Sequence, residues 1–585
     1  MQNALETEVD LVQKEGVLTK ALCRMSQAVL KLSDRIERIK GKKPEFFVVF
    51  LYCFSHMLML IVHEPWFDEA LAWLIARDSS VYELLFVAPH YEGHPSLWHL
   101  VLLPFAKLGA SYELSLSVVS LIFSGSAVYL IVFKSPFKRV IRLLIPFTYY
   151  YFYQYSVISR PYCMMMLAFV VMALTYSNRN THSGRFVLSL TFLCMTSAYG
   201  IVIAGGICIA WLIQMWRDAH KVSNYVSILK LNGKIIWLCL LLGYAIFLMI
   251  RIIPAEDAYA VVRNSGDNVK NGFVVRLLYV FFASISDLCL TNVYYNTGTL
   301  HGTEMSMIEL FIAVIIGGFI LALVIRYALN KKKFIEFIIP YILFGGFGTV
   351  VYLYDHHIGI LLLYLIYWLW TVLSDEKNED KQVSQKLKNQ VFENPLMMSL
   401  TRLLMVAVIT IPIFWSISSV ICDIFYEYGY GRNEYNYLSR HGLDNSSMLA
   451  EWVEGIKIKE DLGYSETVIA LSSEGVSIAP YLSGEVILNS PDNLGFSYMY
   501  THKFWHDEEV EKQKEGILKQ DLPEVLIGHT DVDGLYGKER NTIANYTKVY
   551  QRSFSCIKKG VPGKDVSYIY VRNDIAEKLE LEQIY

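Results

Sequence analysis

The sequence predicts a polytopic α-helical membrane protein of 11–13 transmembrane helices, with a small extracytoplasmic α/β domain at its C-terminal end. Three observations predict it. Of 585 residues, 54% are hydrophobic and only 18% are charged, where soluble domains carry about 25% charge. The apolar residues gather into runs of roughly 17–21 separated by short polar breaks, the length that a hydrocarbon core about 30 Å thick demands. Aromatic residues make up 14%, with 40 Tyr and 11 Trp, many at run ends where amphipathic rings favour the membrane–water interface. Backbone polar groups in hydrocarbon must be satisfied within each segment, so the runs are read as helices. The net charge of −3 gives no reason to expect nucleic acid as a partner.

Residues 1–44 are polar and charged, so the first apolar run is expected to act as a signal anchor that is retained. Within them Leu18, Leu22, Met25, Val29, Leu32, Ile36 and Ile39 form a heptad seam on a helix. Two readings fit the seam equally: a cytoplasmic coiled coil giving self-association through 18–39, or an amphipathic helix lying on the membrane or on its own bundle. Lys40, Lys42 and Lys43 precede a first span near 45–63 and place the N-terminus inside.

The transmembrane region is expected over 45–424. Further spans fall near 113–133, 139–157, 161–177, 185–199, 200–216, 233–250, 306–327, 334–351, 357–373 and 399–419. Two stretches are weaker: 95–109 is interrupted by Pro104, and 273–291 carries Arg276, Ser284, Ser286 and Asp287. If neither crosses, the basic segments 134–139, 178–185 and 326–333 all face the cytoplasm, as the positive-inside rule asks. That gives 11 crossings, against 13 if both cross; either odd number leaves the C-terminal part outside. The charged insert 374–398 is then cytoplasmic.

Residues 425–585 have a different composition. Short strand-like runs at 467–472, 484–488, 524–528 and 566–571 alternate with helical patterns at 447–461 and 506–520, which suggests a small α/β domain. The nine cysteines form no framework. Cys53, Cys163, Cys194, Cys208 and Cys239 lie in apolar runs, where they act as small hydrophobes.

In this topology four polar clusters share the outer side. The external loop 64–94 opens on His63-Glu64-Pro65-Trp66-Phe67-Asp68-Glu69, three carboxylates and an imidazole at the edge of hydrocarbon, where ionisable groups are expensive to keep. It closes on Tyr91-Glu92-Gly93-His94-Pro95. Ser159-Arg160-Pro161-Tyr162 puts a full positive charge at the outward end of two spans, and a guanidinium suits phosphate. Tyr354-Asp355-His356-His357-Ile358-Gly359 lies between two late spans; adjacent histidines do not readily face one metal ion, so a substrate-facing role is preferred. A carboxylate able to act as general base, beside cations able to stabilise a leaving phosphate, fits group transfer from a lipid phosphate.

The order of a first span, external Asp68-Glu69, a Glu92-Gly93-His94-Pro95-Ser96-Leu97-Trp98 segment, Arg160-Pro161-Tyr162 and His357-x-Gly359 before a late span resembles the GT-C superfamily of membrane glycosyltransferases. The similarity is to the branch of the protein O-mannosyltransferases and the lipid A aminoarabinose transferase, with their bacterial relatives, and covers roughly residues 45–373. It implies inverting transfer of a sugar from a polyprenyl-phosphate carrier to an extracytoplasmic acceptor: an envelope glycan, a lipid or a protein. Asp68 is implied as the base and Glu69 as its support. Arg160, Tyr162 and His357 would hold the donor phosphate and lipid, and Glu64, Glu92 and His94 would bind substrate. Where the family carries an Arg-His pair this chain has Asp355-His356-His357, which weakens the phosphate role of that loop. No metal or other cofactor is expected; the partners are the carrier-linked sugar, the acceptor and membrane lipid. The alternative is a lipid-sugar flippase or transporter, which would place ionisable groups near the midplane and show repeat symmetry.

Overall fold

The computed structural model describes residues 17–63, 65, 67–221, 232–256, 258, 272–291, 307–378, 395–428, 468–470, 480–481, 525–528, 545–554, 557–558, 561–562 and 565–581. Glu64, the strand expected at 484–488 and the helices expected at 447–461 and 506–520 lie outside them.

Helices dominate. In chain order they are α1 (Val17–Glu37), α2 (Lys43–Met59), α3 (Phe67–Asp78), α4 (Val81–Phe86), α5 (Ala88–Glu92), α6 (Leu97–Lys107), α7 (Tyr112–Lys134), α8 (Arg139–Leu144), α9 (Tyr162–Tyr176), α10 (Ser183–Cys194), α11 (Ala198–Lys221) and α12 (Asn232–Ile252). After α13 (Phe273–Leu278), a π turn (Tyr279–Ala283) and α14 (Ser284–Cys289) come α15 (Met307–Asn330), α16 (Phe334–Val350), α17 (Asp355–Asn378) and α18 (Pro395–Tyr428).

Among the described residues, six helical segments are long and apolar enough to cross a membrane: Tyr112–Lys134, Ala198–Asp218, Lys234–Ile252, Met307–Asn330, His356–Asp375 and Ser399–Ile421. Their outward surfaces are apolar, with Ile308, Phe311, Ile312 and Ile315 of α15 all exposed, as lipid-facing helices require. The remaining expected spans are shorter: α2 and α16 have 17 residues each, α9 has 15 and α10 has 12. The stretch 95–109 yields only the 11 residues of α6, about 17 Å of helix and well short of a bilayer core.

The run 139–157 is not one helix. It breaks into α8, a 3₁₀ turn (Ile145–Phe147) and a π helix (Tyr150–Val157). Pro146 supplies no N–H to continue the α ladder. The π helix then gives each turn more room for four large tyrosine rings, and all eight of its residues are buried.

The N-terminal helix docks on its own bundle, with only half of its heptad seam turned to it: Leu22, Val29 and Ile36 are half-buried. Its buried face is Cys23, Ser26 and Ser33, whereas Met25 and Leu32 are 57% and 58% exposed. Ser399 Oγ lies 3.4 Å from Cys23 Sγ, and Arg402 donates to Ser26 Oγ at 3.4 Å, fixing α1 beside the start of α18. Arg139 forks onto both oxygens of Glu45, at 2.7 and 2.6 Å, and its backbone N–H reaches Glu37 at 2.8 Å. This bidentate pair ties α1, α2 and α8 into one corner.

The C-terminal part contains β1 (Val468–Ala470), β2 (Val525–Gly528), β3 (Tyr546–Phe554), β4 (Ile557–Lys558), β5 (Val561–Pro562), β6 (Asp565–Arg572) and α19 (Asn573–Lys578). Four strands form a sheet in the order β1-β2-β6-β3, with β1 parallel to β2 and the other pairs antiparallel; β4 and β5 form a separate hairpin. A bulge at Val549 shifts the β3–β6 register. The parallel pair is the part of an α/β pattern present among the described residues.

Candidate active site

Asp68 and Glu69 occupy the first turn of α3, where the partial positive charge of a helix N-terminus stabilises carboxylates. Successive residues on an α-helix point about 100° apart, so the two acids face different partners. Asp68 is partly exposed and forms an ion pair with Arg160. Glu69 is fully buried, and its Oε1 accepts the backbone N–H of Ser159 at 2.6 Å.

That N–H is available because the chain leaves helix between the π helix and α9. Pro161 disfavours α conformation in the residue before it, and Ile158 is already extended at ψ 109°. The resulting corner, Ile158 to Pro161, turns the Arg160 side chain to α3. Its guanidinium carbon lies 5.8 Å from the centroid of the Tyr162 ring, within cation–π range.

Tyr162 connects this corner to the late loop. Its ring stacks on Tyr155 with centroids 4.8 Å apart and lies 6.1 Å from His357, edge-on. Among the described residues the Tyr162 hydroxyl is buried without a hydrogen-bond partner. His357 is buried, and its Nδ1 accepts the backbone N–H of Tyr354 at 3.1 Å, which fixes the ring. Gly359 permits this approach, since a Cβ there would overlap Tyr150 and the Tyr155 hydroxyl.

Glu92 and His94 stand on the same side, close enough to Arg160 to feel its charge. Burial pushes the Glu92 carboxyl up to about 7; Arg160 opposes that rise and Asp68 adds to it. His94 is pushed down to about 3, by burial first and then by Arg160 and His99, and its Nδ1 is buried without a partner among the described residues. At neutral pH it is therefore an uncharged imidazole able to hydrogen-bond a ligand. A carboxyl proton on Glu92 should be lost with a midpoint near pH 7, and between about 4.5 and 7 the folded chain holds this proton while an unfolded chain does not. This group's contribution to stability thus falls as pH rises through that window. Difference infrared spectroscopy should show a carboxylic C=O band titrating near pH 7 that vanishes in Glu92→Gln; an unaltered band in the variant would reassign it.

The structure gives partners to His63, which opens the first polar cluster, and adds Asp423, which the motifs did not single out. His63 Nε2 lies 3.4 Å from Glu69 Oε2, and His63 Nδ1 lies 3.5 Å from Asp423 Oδ2 on α18. Asp423 is fully buried and also accepts the Tyr153 hydroxyl, at 3.0 and 2.9 Å to its two oxygens. Behind Asp68 runs a buried line of acid, imidazole and acid, joining α3, the end of α2, the π helix and α18. A narrow cleft opens beside it, lined by His56, His63, Glu69, Glu113, Ser117 and Ser159 among others. Tyr481, from the C-terminal part, donates to Glu113 at 2.8 Å.

Asp68, Glu69, Arg160, Tyr162 and His357 thus converge, with Glu92 and His94 coupled to them. His357 meets the group through Tyr162 and makes no direct hydrogen bond to Arg160 among the described residues. The described residues contain no cluster of three or more His, Cys, Asp or Glu arranged to hold a metal ion. No family model matches the chain, and no curated protein matches it.

Proposed function

We propose that the protein is an integral-membrane glycosyltransferase that moves a sugar from a polyprenyl-phosphate carrier to an extracytoplasmic acceptor. In this reading 45–424 is a GT-C-like catalytic domain, with 11 crossings when the four shorter helices and the broken run 139–157 are included, and 425–585 lies outside with the acid pair. The observation that carries it is the Asp68–Arg160 pair: a partly exposed carboxylate and a guanidinium meeting from segments 92 residues apart, above a buried acid network.

The chemistry follows from the two groups. Asp68 takes the proton of an acceptor hydroxyl as its oxygen attacks the anomeric carbon. The bond from that carbon to the phosphate oxygen breaks, and its electron pair leaves with the polyprenyl phosphate. Arg160 offsets the charge growing on that phosphate, with His94 and the Tyr162 hydroxyl as neutral donors within the same group. Attack from the face opposite the leaving phosphate inverts the anomeric centre. Glu69, buried and bonded to Ser159, positions the corner that holds Arg160 rather than touching substrate.

The test is to extract the purified chain and identify its retained lipids by mass spectrometry. A polyprenyl-phosphate sugar should be present in the wild type and reduced roughly tenfold to a hundredfold in Arg160→Gln, the loss expected for one charge-assisted phosphate contact. Finding no such lipid, together with no transfer from a supplied polyprenyl-phosphate sugar in liposomes, would remove this reading. Movement of the intact carrier across the liposome without transfer would instead favour the flippase alternative.

A further inference from the structure

A second, narrow cleft lies at the opposite ends of α9 and α17 from the acid pair. The 15 residues of α9 separate the two ends by about 22 Å. Its lining comes from five segments: the end of α9 and the turn after it, α10, α11, the start of α16 and the second half of α17.

Arg179 is the cation of this cleft. It is 5% exposed, and its guanidinium carbon sits 3.7 Å from the centroid of the Tyr176 ring. One terminal nitrogen donates to the Tyr176 carbonyl at 2.9 Å and the other to Gln214 Oε1 at 2.7 Å. No carboxylate pairs with it among the described residues, and its Nε is buried without a partner. Two more buried donors are in the same condition, the Tyr367 hydroxyl and Trp368 Nε1. The acid lining the cleft is already engaged: Glu336 accepts the Tyr176 hydroxyl at 2.5 Å and Lys333 at 2.9 Å, and Lys333 also reaches Asp375 at 2.8 Å.

Leaving a buried donor unmade is costly, and a buried guanidinium without an anion more so. Three unpartnered donors in one cleft, one of them on a guanidinium that no carboxylate touches among the described residues, call for a ligand that carries negative charge and accepts hydrogen bonds from several directions. Carboxylate oxygens lie in one plane; the oxygens of a phosphoryl group are arranged tetrahedrally and can meet donors from separate helices. We propose that this cleft is a binding site for a phosphoryl group, held by Arg179 with the Tyr367 hydroxyl and the Trp368 indole N–H. The group could come from a soluble phosphate or from a phospholipid headgroup. Nothing in the proposal depends on sugar transfer at the other end.

The full chain, delipidated in neutral detergent, is titrated with inorganic phosphate by calorimetry. In parallel it is reconstituted with phosphatidylglycerol or phosphatidylcholine, and the lipid retained after detergent washing is measured by native mass spectrometry. Binding of phosphate identifies a soluble source, and retention of phospholipid without phosphate binding identifies a headgroup; each supports the site only if it weakens by about tenfold or more in Arg179→Gln and in Tyr367→Phe. Tyr367→Phe removes a hydroxyl that bonds nothing among the described residues, so its thermal midpoint should match the wild type and lost binding cannot be blamed on misfolding. Absence of binding from both arms, or variants that bind as tightly as the wild type, would overturn the proposal and leave the cleft to ordered water.

Discussion

Replacing Asp68 by Asn should lower sugar transfer by roughly 10²–10⁴-fold, the range that loss of a general base produces. The substitution keeps the side chain's shape and an oxygen that can still accept from Arg160, so insertion and folding should survive. It removes the basicity needed to take the acceptor's proton. Transfer from a labelled polyprenyl-phosphate sugar in liposomes measures the effect, with retained donor lipid as the control. If Asp68 is the base, donor retention changes little while turnover falls; if it serves only to hold Arg160, donor retention falls along with turnover. Unchanged transfer would take the catalytic role away from Asp68. Glu69→Gln separates the neighbouring acid by its different surroundings: Glu69 is buried and bonded to the Ser159 backbone, so its loss should disturb the corner and donor binding first.

The division of labour between these adjacent acids shows where sequence reading stops. Residue order put Asp68 and Glu69 in one motif, and apolar periodicity located the long helices, because a run near 20 residues has few alternatives in hydrocarbon. Only helix geometry sends one acid to Arg160 and its neighbour inward to Ser159 and His63. The run 139–157 had the composition of a span, and nothing in its tyrosines announces a π helix; the break at Pro146 was its one local signal. The heptad seam of α1 was legible as a pattern, yet the face that docks is the one carrying Cys23, Ser26 and Ser33, whose small side chains allow close approach to α18. Asp423 carries no motif signal because it sits just beyond the last apolar run, where an acid reads as the start of a polar tail. An ionisable residue within one turn of a hydrophobic segment was the available hint.

Asp423 also gives the largest stability effect expected from one substitution. Its carboxylate faces His63 at 3.5 Å and takes the Tyr153 hydroxyl on both oxygens, all in buried surroundings. As a cation His63 is balanced by acids on both sides; remove one acid and the imidazole retains only Glu69, at 3.4 Å. Breaking one partner out of a buried charged network costs roughly 3–5 kcal/mol, so Asp423→Ala should unfold far more readily than the wild type in a detergent denaturation series. Asp423→Asn should cost less, because the amide oxygen can still accept from Tyr153. Combining Asp423→Ala with His63→Ala distinguishes a network from two separate contacts: groups acting as one unit lose less together than the sum of their single losses, by about 0.5–3 kcal/mol. A wild-type unfolding midpoint in Asp423→Ala would mean that the acid line behind Asp68 contributes no stability. In that case the two acids and the imidazole beside the cleft would be assigned to proton transfer to Glu69, which the transfer rate of the same variant, measured across pH, would report.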